Sequence, residues 1–442
     1  MTSWLFETFP GLKEYGNLPA IFYKNTSMSY LSVSREIESL ARELKKRGVS
    51  YGMRISLLGE SNLPTLIAIL ALLQIGASVC VLSTRLPKET VIQRALEAKS
   101  TFFLDAINTI LTPIGVTKEK NQYILLFTSG SSGKAKLACL TINHFLASAL
   151  SSISLLGLVE PNKYYFLSVP LFHVSGLSIL FRCFTSRGAL CLDPIKEITH
   201  VSLVPTQLLR WIKEEKTHYF QKIECLLLGG APLGEALIQK AIEKNLPIRT
   251  TYGMTETASQ ITMSNLMDDL LPPHAGSPLP GKEILISEEG EILVKGNSLF
   301  SGYDSETGPL LPTLEGGWFP TGDLGRLTSK NTLVYTGRKD NLFISGGENI
   351  YPEEIEKALN SLPNVSFSIV VPLKDDEFGE RPIAFIQMET PLPSLEEFYA
   401  RLASLLPKFA FPVRFLPFPK EVSLDFKIQR SKLKELANKT LY

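Results

Sequence analysis

The sequence predicts an α/β protein: a large N-terminal part of layered β-sheets flanked by helices, a small β-barrel-like part, and a small α+β unit at the C-terminus. Three observations carry this. Apolar strands alternate with amphipathic helices from Ile37 to Thr251, short strands and Gly-rich turns take over from about Ile284, and a second helix–strand pattern starts after Lys339. The expected division is residues 1–339 and 340–442.

In order, Ile37, Leu40, Ala41 and Leu44 share one face of a helix with Lys45, Lys46 and Arg47 in its last turn and Gly48 at its end. Arg54-Ile55-Ser56-Leu57 alternates as a strand does. Leu66–Leu73 reads as a buried helix and Ser78–Leu82 as a buried strand. Gln74 and Gly76 interrupt this stretch, which therefore lacks the roughly 20 apolar residues of a membrane span. The same rhythm recurs at Tyr164–Val169, His200–Val204, Glu224–Leu228 and Ile248–Thr251. Short strands follow at Glu291–Lys295, Gly317–Pro320 and Leu333–Thr336. In the last unit Pro352 opens a helix with the stripe Ile355, Ala358, Leu359 and Leu362. Ser366–Val371 and Ile383–Gln387 read as strands, and Leu395–Leu405 as a helix.

Composition narrows the function. With 45 Lys+Arg against 44 Asp+Glu in 442 residues, there is no basic excess of the kind phosphate-backbone binding leaves, so nucleic acid is not an expected partner. Hydrophobic residues at 44% suffice for two or three cores. The cysteines (Cys80, Cys139, Cys183, Cys191, Cys225) are odd in number and never spaced C-x-x-C, against a disulfide framework or a structural zinc. Glu7, Lys13 and Glu14 break up Met1–Pro19, which is no signal peptide. A cytoplasmic protein with small-molecule partners and no stable membrane insertion is expected, with homo-oligomerisation left open.

The sharpest local feature is Thr128-Ser129-Gly130-Ser131-Ser132-Gly133-Lys134-Ala135-Lys136, directly after the apolar run Tyr123–Phe127. Glycines let backbone N–H groups converge on an anion, hydroxyls add donors and lysines add charge. It is not a Walker A loop, because Gly130 and Gly133 are too close and Ala135 follows Lys134. Nor is it a hydrolase elbow, since no serine has the G-x-S-x-G spacing. A flexible surface turn is the bland alternative. Lys136–Leu140 reads as a second strand, which makes the element strand–loop–strand.

This loop resembles the phosphate-binding motif of the adenylate-forming superfamily, which includes acyl-CoA synthetases, firefly-luciferase-like enzymes and peptide-synthetase adenylation domains. Ser131-Ser132 stands for the commoner threonine pair, Ala135 for proline and Leu137 for glycine. Further resemblances follow in order. Gly229-Gly230-Ala231-Pro232 is similar to the adenine-side wall. Tyr252-Gly253-Met254-Thr255-Glu256 is similar to the motif whose tyrosine stacks on adenine, whose threonine touches the α-phosphate and whose glutamate binds Mg²⁺. Thr321-Gly322-Asp323 matches the aspartate that accepts from the ribose hydroxyls, and Arg338 the arginine near ribose and phosphate. Lys427, in a K-x-x-R-x-x-L spacing, resembles the catalytic lysine of the last motif; Phe426 replaces the usual glycine, and Lys420 and Lys432 are the fallbacks. Asp340 matches the hinge about which the small domain rotates between half-reactions, and Gly346-Gly347 lie in a segment resembling the pantetheine channel. Taken singly, each would read as a turn or a surface charge.

The resemblance implies ATP, Mg²⁺ and CoA, a carboxylate attacking the α-phosphorus, and a thiol displacing AMP. Free CoA is expected over a carrier protein, because no carrier domain follows Tyr442. Within Pro170–Arg182, His173 falls where the family flanks its acyl pocket, and Arg182 ends an apolar run, where burial is costly without an anionic partner. An exposed helix end is the competing reading. This stretch, Ser83-Thr84-Arg85-Leu86, the segment Thr199–Thr206 and the segment Gly346–Pro352 resemble the 2-succinylbenzoate–CoA ligases of menaquinone synthesis. That substrate has two carboxylates; Arg182 would hold the one that does not react, with Ser259 and Gln260 lining the floor. The alternatives are a broader aromatic or fatty acyl-CoA ligase, or an enzyme loading a carrier protein.

Overall fold

The computed structural model describes residues 4–115, 119–128, 135–159, 162–214, 222–231, 233–266, 270, 273–388, 390–419 and 430–441. Two large mixed sheets form its body. The nine-stranded sheet runs, edge to edge, Ser277–Pro278, Ser259–Met263, Ile248–Met254, Cys225–Leu228, His200–Leu203, Tyr164–Phe166, Ala189–Cys191, Pro19–Tyr23 and Thr26–Ser29. Its six inner strands, from Ile248–Met254 to Pro19–Tyr23, are parallel, and antiparallel pairs close both edges. The seven-stranded sheet runs Gly302–Tyr303, Lys136–Leu140, Ile124–Thr128, Ser78–Leu82, Arg54–Leu58, Phe102–Asp105 and Ile110–Pro113.

The helix Leu63–Ile75 shows why such a sequence folds this way. Asn62 caps it by accepting from the Thr65 N–H at 2.9 Å, and Gly76, at φ 86°, ends it in a left-handed turn. It is apolar all round and buried all round, so it belongs inside the body rather than on its surface. The helix that the Ile37 stripe predicts runs Tyr30–Lys46, starting where the Ser29 hydroxyl caps the Ser32 N–H. The hairpin Pro19–Tyr23/Thr26–Ser29 was not legible from periodicity, being only four to five residues per strand.

The expected barrel-like part is a four-stranded antiparallel sheet, Lys282–Ile286, Glu291–Gly296, Phe319–Leu327 and Leu333–Arg338. The strand expected from Gly317 starts at Phe319, because Gly316 and Gly317 turn at φ 75° and 78°. A five-stranded sheet follows Lys339: Glu348–Ile350, Phe343–Ser345, Gly379–Met388 and Val365–Asp375 in order, with Arg414–Pro417 parallel to Gly379–Met388. Alternation along its strands feeds two cores. Val370, Ala384 and Ile386 pack with Ile355, Leu359 and Phe398, while Ile369, Val371 and Phe385 pack with Leu433 and Ala437. Helices Pro352–Asn360 and Leu395–Leu402 thus cover one face and Arg430–Leu441 the other. All five cysteines are buried and unpaired. Among the described residues, no helix is long and apolar enough to cross a membrane.

Candidate active site

The strand Ile248–Met254 leaves the parallel sheet, turns through the short 3-10 segment Thr255–Thr257 and returns as Ser259–Met263. A bulge between Tyr252 and Gly253 lets the backbones close up: a Cβ on Gly253 would lie 1.8 Å from the Ser259 carbonyl oxygen. The turn therefore presents Thr255 and Glu256 at the carboxyl end of a parallel strand, where open α/β sheets bind ligands. Gly229, Gly230 and Ala231 follow Cys225–Leu228, the next parallel strand, and so share that edge. Pro232 lies outside the described residues.

Glu256 is 6% exposed, and Tyr303 donates to its Oε1 at 2.7 Å. Burial and the adjacent carboxylate push the Tyr303 phenol up, which keeps it a donor. The Lys136 ammonium sits 4.9 Å over the Tyr303 ring. Glu256 and the second strand of the Ser/Gly element are thereby brought together through Tyr303, a residue with no signal in the sequence. Thr128 and Lys136 pair across the strand ends, as strand–loop–strand requires. Ser129, Gly130, Ser131, Ser132 and Gly133 lie outside the described residues.

A second cluster joins Tyr252, Asp323, Arg338 and Asp340. The Tyr252 hydroxyl donates to Asp323 Oδ2 at 2.7 Å, and Arg338 Nη1 to Asp323 Oδ1 at 2.9 Å. Asp323 and Arg338 face each other in strand register, and Arg338 Nη2 reaches Asp340 Oδ2 at 3.3 Å. Burial first, then Asp323, holds the Tyr252 phenol well above its ordinary value. The groups expected on adenine and ribose thus bond to one another, and Tyr335, its ring 6.3 Å from that of Tyr252, lies beside them.

Asp340 lies in the turn Lys339–Asn341 between the four-stranded sheet and the last sheet, with its side chain 44% exposed. Gly346 and Gly347 form the turn between Phe343–Ser345 and Glu348–Ile350, with the Gly346 N–H donating to Phe378 O. Lys427, with Phe426 and Lys420, lies outside the described residues, and Lys432 is exposed. The arginine of the same spacing is described. Arg430 bonds Glu356 through both nitrogens, Glu353 at 3.2 Å and the Val370 carbonyl at 2.7 Å.

The acyl-side residues sit on the helix Val174–Ser186. Arg182 is no exposed helix end: the helix continues to Ser186, and Arg182 is 1% exposed. Leaning back along the helix, as long helical side chains do, its Nη2 comes 3.4 Å from Ser259 Oγ, while its Nε has no partner. No carboxylate pairs with it among the described residues. Ser178, one turn earlier, donates to Ala258 O at 3.2 Å and ties the helix to the Glu256 turn. Gln260 is buried, bonds Thr251 Oγ1 through Nε2 and leaves Oε1 without a partner. Arg182 and Ser259 therefore meet, while the Gln260 side chain turns to Thr251. His173 does not join them: it precedes the first helical turn, packed on Phe172, nine residues and about 13 Å of helix rise away.

Lys282 is a second residue, after Tyr303, that sequence reasoning missed. It opens the strand Lys282–Ile286, is 8% exposed, and donates to the Gln260 carbonyl and, at 3.5 Å, to Ser148 Oγ. Burial and the Arg182 charge push its amine down to about 7. A signal did exist: Lys282 shares its period-two face with Ile284 and Ile286.

A family model described as AMP-binding enzyme matches residues 10–122 and 111–304. The chain belongs to the AMP-binding enzyme family. A 2-succinylbenzoate–CoA ligase of Listeria innocua is 32% identical, with 98% of this chain and 99% of that protein covered. One of Salmonella typhimurium is 33% identical over 94% of each. Among solved structures, a variant of E. coli MenE with bound OSB-AMS is 30% identical at a TM-score of 0.85, covering 100% of this chain and 99% of that one. The o-succinylbenzoate CoA synthetase (MenE) of Bacillus subtilis in complex with the acyl-adenylate OSB-AMP is 26% identical at 0.84, with 98% of each covered.

For an AMP-binding enzyme the donor set around Glu256 has a clear fit. Among the described residues no three His, Cys, Asp or Glu side chains converge to hold a metal by themselves. One carboxylate beside the Thr255 hydroxyl suits Mg²⁺, which takes most of its ligands from nucleotide phosphates and water.

Proposed function

We propose that the chain is an AMP-forming acid–CoA ligase that converts 2-succinylbenzoate to 2-succinylbenzoyl-CoA for menaquinone biosynthesis. The observation that carries the substrate is Arg182, a guanidinium buried beside Ser259 with no carboxylate partner among the described residues. A buried cation without a counter-charge is costly, and a diacid supplies the missing partner.

In this reading the first carboxylate oxygen attacks the α-phosphorus, the bond to pyrophosphate breaks, and the CoA thiolate then attacks the acyl carbon and expels AMP. Thr128 to Gly133 and Lys136 donate to the phosphates, and the Thr255 hydroxyl to the α-phosphoryl oxygen. Glu256 would hold Mg²⁺, which would supply neutralisation of phosphate charge when bound. Gly230 and Ala231 leave room for adenine against Tyr252 and Gly253, Asp323 accepts from ribose, and Arg338 steadies both. His173 borders the acyl group near the reacting end, and Lys427 supplies positive charge for the adenylation step. Residues 1–339 and 340–442 act as two bodies about Asp340, and Gly346 and Gly347 admit the pantetheine arm. ATP and CoA are both cytoplasmic supplies, and the reaction is placed there.

Pyrophosphate release with ATP, Mg²⁺, CoA and a panel of acids tests the reading. Release with 2-succinylbenzoate supports it; release only with fatty acids replaces it by a broader ligase, and silence removes it. In Arg182→Ala the KM for the diacid should rise roughly tenfold or more, beyond any change for benzoate, as loss of a charge-assisted pair implies. Equal effects on both acids would refute the role.

A further inference from the structure

We propose that Arg182 and Lys282 form one buried double-cation site for the substrate carboxylate that does not react, which makes Lys282 a specificity-determining residue. The proposal rests on the ligase reading above.

The geometry is specific. The two cations come from different elements, the helix Val174–Ser186 and the strand Lys282–Ile286, and converge on consecutive residues of one strand. Arg182 touches the Ser259 hydroxyl and Lys282 the Gln260 carbonyl. On the third side, Ser148 of the helix Ile142–Ser152 faces the amine. An ammonium has three protons, and only two acceptors face this one. Arg182 Nε is likewise a buried donor without a partner among the described residues, whereas Gln260 Oε1 is an acceptor left without a donor. Four elements thus enclose unspent donors and positive charge, while neither cation has an ion-pair partner among the described residues.

Such an arrangement is unfavourable alone and favourable with an anion. Burial first, and then repulsion from Arg182, depress the Lys282 amine to about 7, so that in the free chain it gives up its proton as the pH passes that value. Tyr165, Cys183 and Cys225, which also feel Arg182, are held neutral by burial and offer no counter-charge. A carboxylate entering between Ser259 and Gln260 would accept from both cations and draw a proton onto the amine. A neutral amide or ester there would satisfy neither. The site therefore selects a diacid over a monoacid by charge rather than by shape.

The test compares 2-succinylbenzoate with the two monoacids that each lack one carboxylate, 4-oxo-4-phenylbutanoate and 2-butanoylbenzoate. Wild type should prefer the diacid in kcat/KM by roughly tenfold to a hundredfold. Lys282→Met should erase most of that preference, chiefly through KM, and Lys282→Arg should restore part of it. A Lys282→Met enzyme with the wild-type preference overturns the proposal while leaving the ligase reading intact. A second readout needs no turnover. Calorimetry of 2-succinylbenzoate binding at pH 8 in two buffers of different ionisation heat should show uptake of most of one proton by wild type. No uptake, with the diacid bound as tightly by Lys282→Met as by wild type, overturns the site. Absence of pyrophosphate release by wild type with any acid sinks the ligase reading, and proton uptake still decides the site.

Discussion

Replacing one hydrogen of Gly253 by a methyl group would put a carbon 1.8 Å from the Ser259 carbonyl oxygen, inside any tolerable contact. The two strands would have to part, moving Glu256 on one side of the turn and Ser259 on the other. Gly253→Ala is expected to cost about 2 kcal/mol or more and to lower the melting temperature by several degrees, read by thermal unfolding beside wild type. At this scale legibility follows context. Tyr252, Glu256 and Asp323 are legible only as members of an ordered set of motifs that resembles one family, since singly each reads as a turn or a surface charge. Arg182 is legible because it ends an apolar run. Lys282 and Tyr303 are not, since one is a lone lysine and the other a lone tyrosine until folding carries them to Gln260 and Glu256.

Helices and strands were legible wherever periodicity was long enough to count. Ser78–Leu82 was read with its observed bounds, whereas the strand read as Tyr164–Val169 ends at Phe166, where the Ser168 N–H turns back onto the Phe166 carbonyl. Such an ending depends on a local turn that hydropathy does not record. The helix Arg430–Leu441 is held at its first residue by the pair of Arg430 with Glu353 and Glu356 of Pro352–Asn360. Both carboxylates are buried, so Arg430→Ala leaves two uncompensated charges, a loss of about 3–5 kcal/mol. The terminal helix should then detach. Limited trypsin digestion is expected to cut at Lys432 and Lys434 several times faster than in wild type, with the residues before Lys339 remaining intact. Unchanged cleavage would show that packing of Leu433 and Ala437 alone holds the helix.

Across the whole molecule, the alternation of strands and helices pointed to layered sheets, yet not to their order. Ala189–Cys191 lies between Tyr164–Phe166 and Pro19–Tyr23, a placement set by long-range pairing that no local pattern encodes. The fold also carries a pH signature. Lys282 is lowered to about 7 from 10.5, so between these values the unfolded chain binds a proton that the folded chain does not. Stability of the free protein from this group therefore rises with pH across that window, and the penalty is complete below about 7. Melting temperatures at pH 7 and pH 9 should diverge less in Lys282→Met than in wild type, and the diacid should flatten the wild-type difference. An identical pH response in the two proteins would mean the amine does not titrate in that window.

Asp323 already has a phenol and a guanidinium in its grasp. A sugar docking there, under the proposed assignment, meets a carboxylate already held in place, whose two oxygens can accept further hydrogen bonds. Tyr252 and Arg338 fix the direction in which the Asp323 oxygens point before any ligand arrives, so the acceptor is set by the protein itself and owes nothing to what it receives.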